Sequence, residues 1–222
     1  MKTILSICLI SMMYISSQAQ NSVFDTGIEN NKKLPALEII INEDDIAKAF
    51  LSKQIFASTE TSNEYIYENQ SAIFYEDPKI NDTKNLFEKY LKRDLLTNTG
   101  DYNGSIEMKI LYHEYKFDVS PGFFINVATF GITGLFGLPT ERYQSNIELE
   151  TNIYNLNNEL IASYYISGKD NYFKNLYRKR ITDRESNLRA LKKAINNLNE
   201  NIVVDYDTIN EKLLSANQSA MK

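Results

Sequence analysis

Two stretches near the middle of the chain alternate between apolar and polar residues, which is the pattern of strands with one buried face. The first runs over 143–155, and the second runs over 160–168. Between them lies the turn Asn155-Leu-Asn-Asn-Glu159, which is rich in residues that favour turns. Two alternating runs joined by such a turn predict an antiparallel β-hairpin.

Two further strands are predicted upstream of the hairpin. Residues 105–117 alternate through Ile106 to Tyr112 and then change phase, which predicts a bulge near His113 or Glu114. Residues 34–41 are rich in β-branched side chains and end apolar on both faces, as a central strand would. Residues 57–81 are compatible with one or two short strands.

Apolar residues spaced three and four apart predict helices in the other segments. Asn42 can cap a helix whose first turn holds an acidic cluster, and capping is a more economical reading of that cluster than a cation site. Asn81 or Asp82 is expected to cap a second helix, which runs through Thr97. Its buried stripe consists of Leu86, Phe87, Tyr90 and Leu91.

The C-terminal part of the chain is predicted to be helical. Thr182 and Glu185 have the spacing of a capping box. An amphipathic stripe follows from Leu188 to Ile202, and a shorter helix is expected near 208–215. We therefore expect an α+β fold, in which a mixed or antiparallel sheet with a C-terminal hairpin is covered by amphipathic helices. A single domain over 34–217 accounts for all of these elements.

Residues 1–19 have the pattern of an export signal. Lys2 provides a positive start, residues 4–15 are apolar, and Ser17-Gln18-Ala19 matches a cleavage site. A retained N-terminal anchor is the alternative. Residues 20–33 are then a polar leader. We expect an exported protein of the periplasm or cell envelope, with release into the medium left open.

An apolar insert, residues 121–139, separates two of the predicted strands. Between Pro121 and Pro139 lie seventeen residues without a charge, which include four of the chain's eight glycines. Gly131, Gly134 and Gly137 are three apart rather than four, so the small-xxx-small pattern of membrane helix dimers is absent. A helix of this length measures about 25 Å, short of the roughly 30 Å of a bilayer's hydrocarbon.

Three interpretations of the insert remain open. It could be buried under the domain's own cover, lie in a membrane interface, or form a contact between subunits. In the last two cases the contact residues are Phe123, Phe124, Phe130, Gly131, Gly134, Phe136 and Gly137.

A second candidate surface is basic. Residues 169–184 carry six Lys and Arg side chains among aromatic residues, in a chain whose formal net charge is −5. Lys174, Arg178, Lys179 and Arg180 could contact an anionic surface. A solvated helix face whose aromatic residues point inward is the simpler reading.

The sequence offers no motif for catalysis, a cofactor or a metal site. The single cysteine, Cys8, lies inside the predicted signal, and the single histidine, His113, has no partners at metal-ligand spacing. The acidic balance argues against a nucleic-acid binder. Paired carboxylates stay open as catalytic groups, because their distance in space cannot be read from sequence.

The order of elements resembles that of the small α/β envelope proteins of Gram-negative bacteria, a group that includes auxiliary lipoproteins of ABC-type lipid transport. The resemblance covers about residues 83–204. It consists of a helix ending at Leu95-Leu96-Thr97 and Gly100, a strand, the apolar insert, the hairpin turn 153–161, and the Ala/Leu helix ending over 196–202. It implies a periplasmic accessory role without catalysis, often at a membrane and often oligomeric. Most of that group carries a lipid-attachment cysteine, which this chain lacks.

These observations predict a non-enzymatic envelope accessory or assembly protein that meets envelope partners, a second copy of itself or a peripheral membrane surface through the insert. The alternative is a secreted binding module or weak hydrolase with a tyrosine and carboxylate cleft.

Overall fold

The computed structural model describes residue 28 and residues 32–51, 78–177 and 182–220. These residues form a four-stranded sheet in the order β1-β2-β3-β4. The first strand is parallel to the second, and the other neighbours are antiparallel. The strands are β1 (Glu38–Ile41), β2 (Gly104–Val119), β3 (Glu141–Asn155) and β4 (Leu160–Lys174).

Five α-helices accompany this sheet within the described residues. They are α1 (Glu43–Leu51), α2 (Pro78–Lys89), α3 (Pro121–Ala128), α4 (Ile132–Leu135) and α5 (Asp183–Ala220). A π-helical segment, Tyr90–Leu95, continues α2. The predicted α+β class, with a mixed sheet and helices that cover it, is confirmed.

The core lies between one face of the sheet and α1, α2 and α5. The alternating residues of β2 and β3 that point toward the helices are buried. So is the stripe that the sequence predicted for α2. Gly168 of β4 marks the closest approach of α5, because a Cβ built there would lie 2.0 Å from the carbonyl oxygen of Ala190. The helix can reach this strand only where the side chain is absent.

The predicted hairpin of β3 and β4 is confirmed. The two strands pair from Glu141 opposite Lys174 to Tyr154 opposite Leu160. In the turn, Asn155 Oδ1 accepts hydrogen bonds from the backbone N–H groups of Asn157 and Glu159, at 2.9 and 3.0 Å. This side-chain mimicry of a backbone turn is what the Asn-rich sequence predicted.

The predictions for the other two strands need correction. The irregularity in β2 falls between Ile110 and Tyr112, not at His113 or Glu114. Leu111 is the extra residue and is exposed, so that His113 again faces the interior. The strand predicted over 34–41 is shortened to β1, with Pro35 outside it, and it lies at the edge of the described sheet rather than at its centre.

Two helix predictions were also wrong in part. Asp82 does not cap α2, which begins at Pro78; instead its carboxylate receives two hydrogen bonds from the guanidinium of Arg184. The C-terminal region is one helix rather than two, since no Gly or Pro interrupts residues 183–220. The capping box is confirmed, with Glu185 N donating to Thr182 Oγ1 and Thr182 N to Glu185 Oε2, both at 3.1 Å.

Several predictions fall outside the described residues. They concern the export signal, most of the polar leader and the short strands expected within 57–81. Ile28, in the leader, packs against the core.

Candidate functional site

The insert connects β2 to β3 at one end of the sheet. Those strands pair up to Val119 opposite Glu141, so the insert closes a hairpin. It is not one long helix but two short ones, α3 and α4, which pack mainly against each other. Ser120 caps α3 by accepting a hydrogen bond from Gly122 N at 3.3 Å, and Pro121 occupies the first helical turn.

The large apolar side chains of the insert are exposed. Phe123, Phe124, Phe130 and Phe136 have exposed fractions of 42%, 66%, 97% and 83%. Four aliphatic side chains add to this surface, namely Ile125, Val127, Ile132 and Leu135. Of the three interpretations left open by the sequence, burial under the domain's own cover is therefore wrong.

The inward side of the insert is polar. Asn126 Oδ1 accepts hydrogen bonds from Gly134 N at 2.6 Å and from Thr133 Oγ1 at 3.3 Å. Thr129 Oγ1 lies 3.0 Å from Thr133 Oγ1 and donates to the carbonyl oxygen of Ile125 at 2.9 Å. We refer to Asn126, Thr129 and Thr133 as the polar lock. The insert thus places these half-buried polar side chains between its two helices and its large apolar side chains toward solvent.

The glycines of the insert have separate structural roles. Gly134 packs against the side chain of Asn126, where a Cβ would lie 2.8 Å from Oδ1. Gly131 has a φ of 87° and Gly137 a φ of 80°, in the left-handed region that glycine tolerates best. The glycines thus shape the insert, and the phenylalanines form its outer surface. Gly134 is buried, so its prediction as a contact residue is wrong.

Phe130 is unusual because it has a φ of 51°, one of two described non-glycine residues with a positive φ. A bulky residue in this region carries a cost of about 1–2 kcal/mol. Its side chain is almost fully exposed, so burial within the domain does not offset that cost. The residue is therefore unexplained by the stability of the fold.

Residues that follow β4 hold the base of the insert. Asn175 Nδ2 donates to the carbonyl oxygen of Gly137 at 3.0 Å, and the Tyr177 hydroxyl donates to that of Leu135. An open groove of about 750 Å³ lies between the insert and the strand ends, lined by Phe117, Val119, Phe123 and Leu176 among others. The apolar surface thus continues onto the adjoining ends of β2 and β4.

The basic surface that the sequence suggested is only partly described. Lys174 lies at the end of β4, where its Nζ is 2.7 Å from Glu141 Oε1. It is therefore on a strand rather than a helix face, and its charge is paired. Arg178, Lys179 and Arg180 lie outside the described residues.

A second groove, of about 500 Å³, lies beside β1 and contains the carboxylates of Glu38 and Glu88 and the ring of Tyr102. Two lysines also line it. Lys92 Nζ is 2.8 Å from Glu88, and Lys84 donates to Glu43. The hydrogen bond to Glu43 raises the pKa of Lys84 above its ordinary value. The groove therefore holds charges of both signs, and its Glu88 carboxylate is paired with Lys92.

His113 belongs to a buried polar cluster with Asn187 and Ser145. Its Nε2 lies 2.7 Å from Asn187 Oδ1, and Ser145 Oγ donates to the same oxygen at 2.7 Å. The Phe50 ring lies 4.4 Å from the imidazole, centroid to centroid. Asn187 Oδ1 thus joins the serine and the histidine in one buried polar cluster.

The described part of the chain was compared with two other kinds of site, a metal centre and a membrane span, and has neither. It holds no group of three or more acidic, His or Cys side chains arranged for a metal ion. Nor does any helix there combine the length and apolar character needed to cross a bilayer. Comparisons of the chain with models of known protein families and with curated proteins found no match.

The structure brings the predicted contact residues of the insert together. The polar lock, in contrast, was not predicted from the sequence. Asn126 lies in α3, Thr129 caps its C-terminal end and Thr133 lies in α4, so the three do not share one continuous helix. Three polar residues inside an apolar run were the available signal for a polar side of the insert.

Proposed function

We propose that this protein is a non-enzymatic, exported accessory or assembly component of the cell envelope. The insert would be its contact with a membrane or with a partner subunit. The observation that carries the proposal is the arrangement of the insert, with its polar lock between the two helices and its phenylalanines toward solvent.

Fold stability does not account for this surface. The four phenylalanines expose roughly 550 Å² if a fully exposed ring side chain presents about 200 Å². A typical monomer's largest apolar patch is about 300–600 Å², and patches of that size often have a function. The aliphatic side chains enlarge this patch beyond the usual range.

The exposed area is sufficient for reversible attachment. If half of the phenylalanine surface leaves water on binding, the gain is about 7 kcal/mol at 25 cal/mol per Å². A micromolar dissociation constant corresponds to about 8 kcal/mol. The insert therefore suits a peripheral contact rather than permanent integration.

The proposal is tested by deleting residues 124–136. The remaining residues, 120–123 and 137–140, can still close the hairpin between Val119 and Glu141. We expect the shortened protein to fold, as judged by circular dichroism, but to lose membrane association or its oligomeric state in fractionated native cells. The double variant Phe130→Ser/Phe136→Ser should behave in the same way.

The matched control is Val204→Ser, since Val204 of α5 has an exposed fraction of 83% and lies outside the insert. It should leave both properties unchanged. A deletion variant with unaltered folding, fractionation and size would refute the proposal.

A further inference from the structure

We propose that the insert is received by the hydrocarbon of a phospholipid bilayer, into which it dips from one side. This inference rests on the proposed function and names its partner. A protein partner or a second copy of the chain is the competing occupant.

The distribution of apolar side chains around α3 favours lipid. Each helical residue turns by 100°, so Gly122 and Asn126 share the inward side. The exposed residues Phe123, Phe124, Ile125, Val127 and Ala128 cover the rest of the circumference. A protein surface covers one side of such an element, whereas fluid acyl chains surround it.

The available area argues against a second copy as the occupant. The whole insert exposes on the order of 900 Å² of apolar side chain, at about 150–200 Å² for each fully exposed one. Because this area is spread around the element, one face offers about half. A stable dimer buries about 800 Å² per partner, of which about 450–500 Å² is apolar, so one face of the insert would have to supply nearly all of that apolar area by itself.

The polar lock provides what a segment in hydrocarbon requires. Backbone and side-chain polar groups must find partners within the protein there, because no water is present. Asn126 Oδ1 accepts from Gly134 N and from Thr133 Oγ1, and Thr129 Oγ1 donates to the carbonyl oxygen of Ile125. The outward surface carries no charge between Asp118 and Glu141.

The base of the insert defines how deep it can enter. Asp118, Glu141 and Lys174 lie at the strand ends next to it, and the exposed Tyr177 donates its hydroxyl hydrogen bond to the carbonyl oxygen of Leu135 in α4. Tyrosine favours the boundary between headgroups and acyl chains. With eight residues, α3 is about 12 Å long, so the insert reaches into one leaflet only.

The chain has no tryptophan, so a single introduced one reports on its own position. Phe130→Trp and Phe136→Trp place the probe on the insert, and Val204→Trp is the matched control. Each purified protein is mixed with vesicles of phosphatidylcholine alone or with one third phosphatidylglycerol, and brominated phosphatidylcholine serves as quencher. The oligomeric state of each protein is measured separately, in the absence of vesicles.

We expect tryptophan emission at 130 and 136 to shift to shorter wavelength with both vesicle types and to lose at least half of its intensity to the brominated lipid. Position 204 should show neither effect. Binding only to the anionic vesicles would assign the contact to headgroups and overturn hydrocarbon insertion. The tryptophan at 130 could instead show no response to vesicles but become buried as the protein self-associates at higher concentration. That result would overturn the lipid partner and would sustain the proposed function. No response to vesicles and no self-association would count against both.

Discussion

At the scale of single residues, Phe130 is not explained by the stability of the fold and is better explained by a contact outside the domain. Its φ of 51° suits asparagine or glycine better than phenylalanine, and its ring makes little contribution to the core. Selection for stability alone would favour a small or polar residue at this position. An aromatic residue there is best explained by something the ring contacts outside the domain.

Phe130→Asn should therefore preserve or slightly raise the free energy of unfolding, by up to about 1 kcal/mol, because asparagine tolerates the left-handed region. Association with vesicles or a partner should fall at least fivefold in the same variant. Urea unfolding and vesicle cosedimentation check the two effects. Val204→Gln is the control on an exposed helix position, and a large loss of stability in Phe130→Asn would show that the ring belongs to the fold.

Asn126 has the opposite role, since it holds the insert together from within. Asn126→Ala removes the acceptor that lies 2.6 Å from Gly134 N, although that amide retains a 3.1 Å bond to Gly131 O. We expect the local free energy of opening to fall by about 1 kcal/mol, which is roughly fivefold faster exchange of the Gly134 amide hydrogen.

Global stability should hardly change in Asn126→Ala, because α3 and α4 pack mainly against each other. Asn126→Asp keeps an oxygen acceptor and serves as the matched control in water. Unchanged protection of Gly134 in the alanine variant would mean that the polar lock does not hold the insert.

At the scale of elements, side-chain periodicity predicted what depends on local pattern. The hairpin of β3 and β4, the capping box of α5 and the buried stripe of α2 all follow from spacing within one segment. The edge position of β1 and the bond between Asp82 and Arg184 depend on residues far apart in the chain. No local pattern contains that information.

The insert illustrates the same limit. A charge-free apolar run has the same sequence whether a domain buries it or exposes it, because the outcome depends on what the rest of the chain can cover. The polar residues Asn126, Thr129 and Thr133 inside this run did indicate that the insert has a polar side. The residues of the candidate surface were therefore predictable, whereas their exposure was not.

The packing of α5 on β4 gives an element-scale prediction. Gly168→Ala places a Cβ within 2.0 Å of Ala190 O and 2.5 Å of Ala194 N, so the helix must move away from the strand. We expect a loss of about 1–3 kcal/mol in the free energy of unfolding, measured with urea. Ser167→Ala, at the neighbouring exposed position, should change it by less than about 0.5 kcal/mol. Equal effects of the two substitutions would contradict the close packing.

At the scale of the whole molecule, the residues that stabilise the fold and the residues of the proposed contact lie in different parts of the structure. The core lies between the sheet and α1, α2 and α5, and the insert closes a hairpin at one end of that sheet. Alterations of the insert should consequently leave the core intact. Export by residues 1–19 stays a prediction, and it would deliver this surface to the envelope.

The most direct test is to identify what touches position 130 in the cells that make the protein. A photoreactive amino acid at 130, and separately at 204, is activated by light in intact cells, and the adducts are resolved by mass. The account predicts lipid adducts at 130 and none above background at 204. Equal adducts at the two positions, or none at 130, would contradict it.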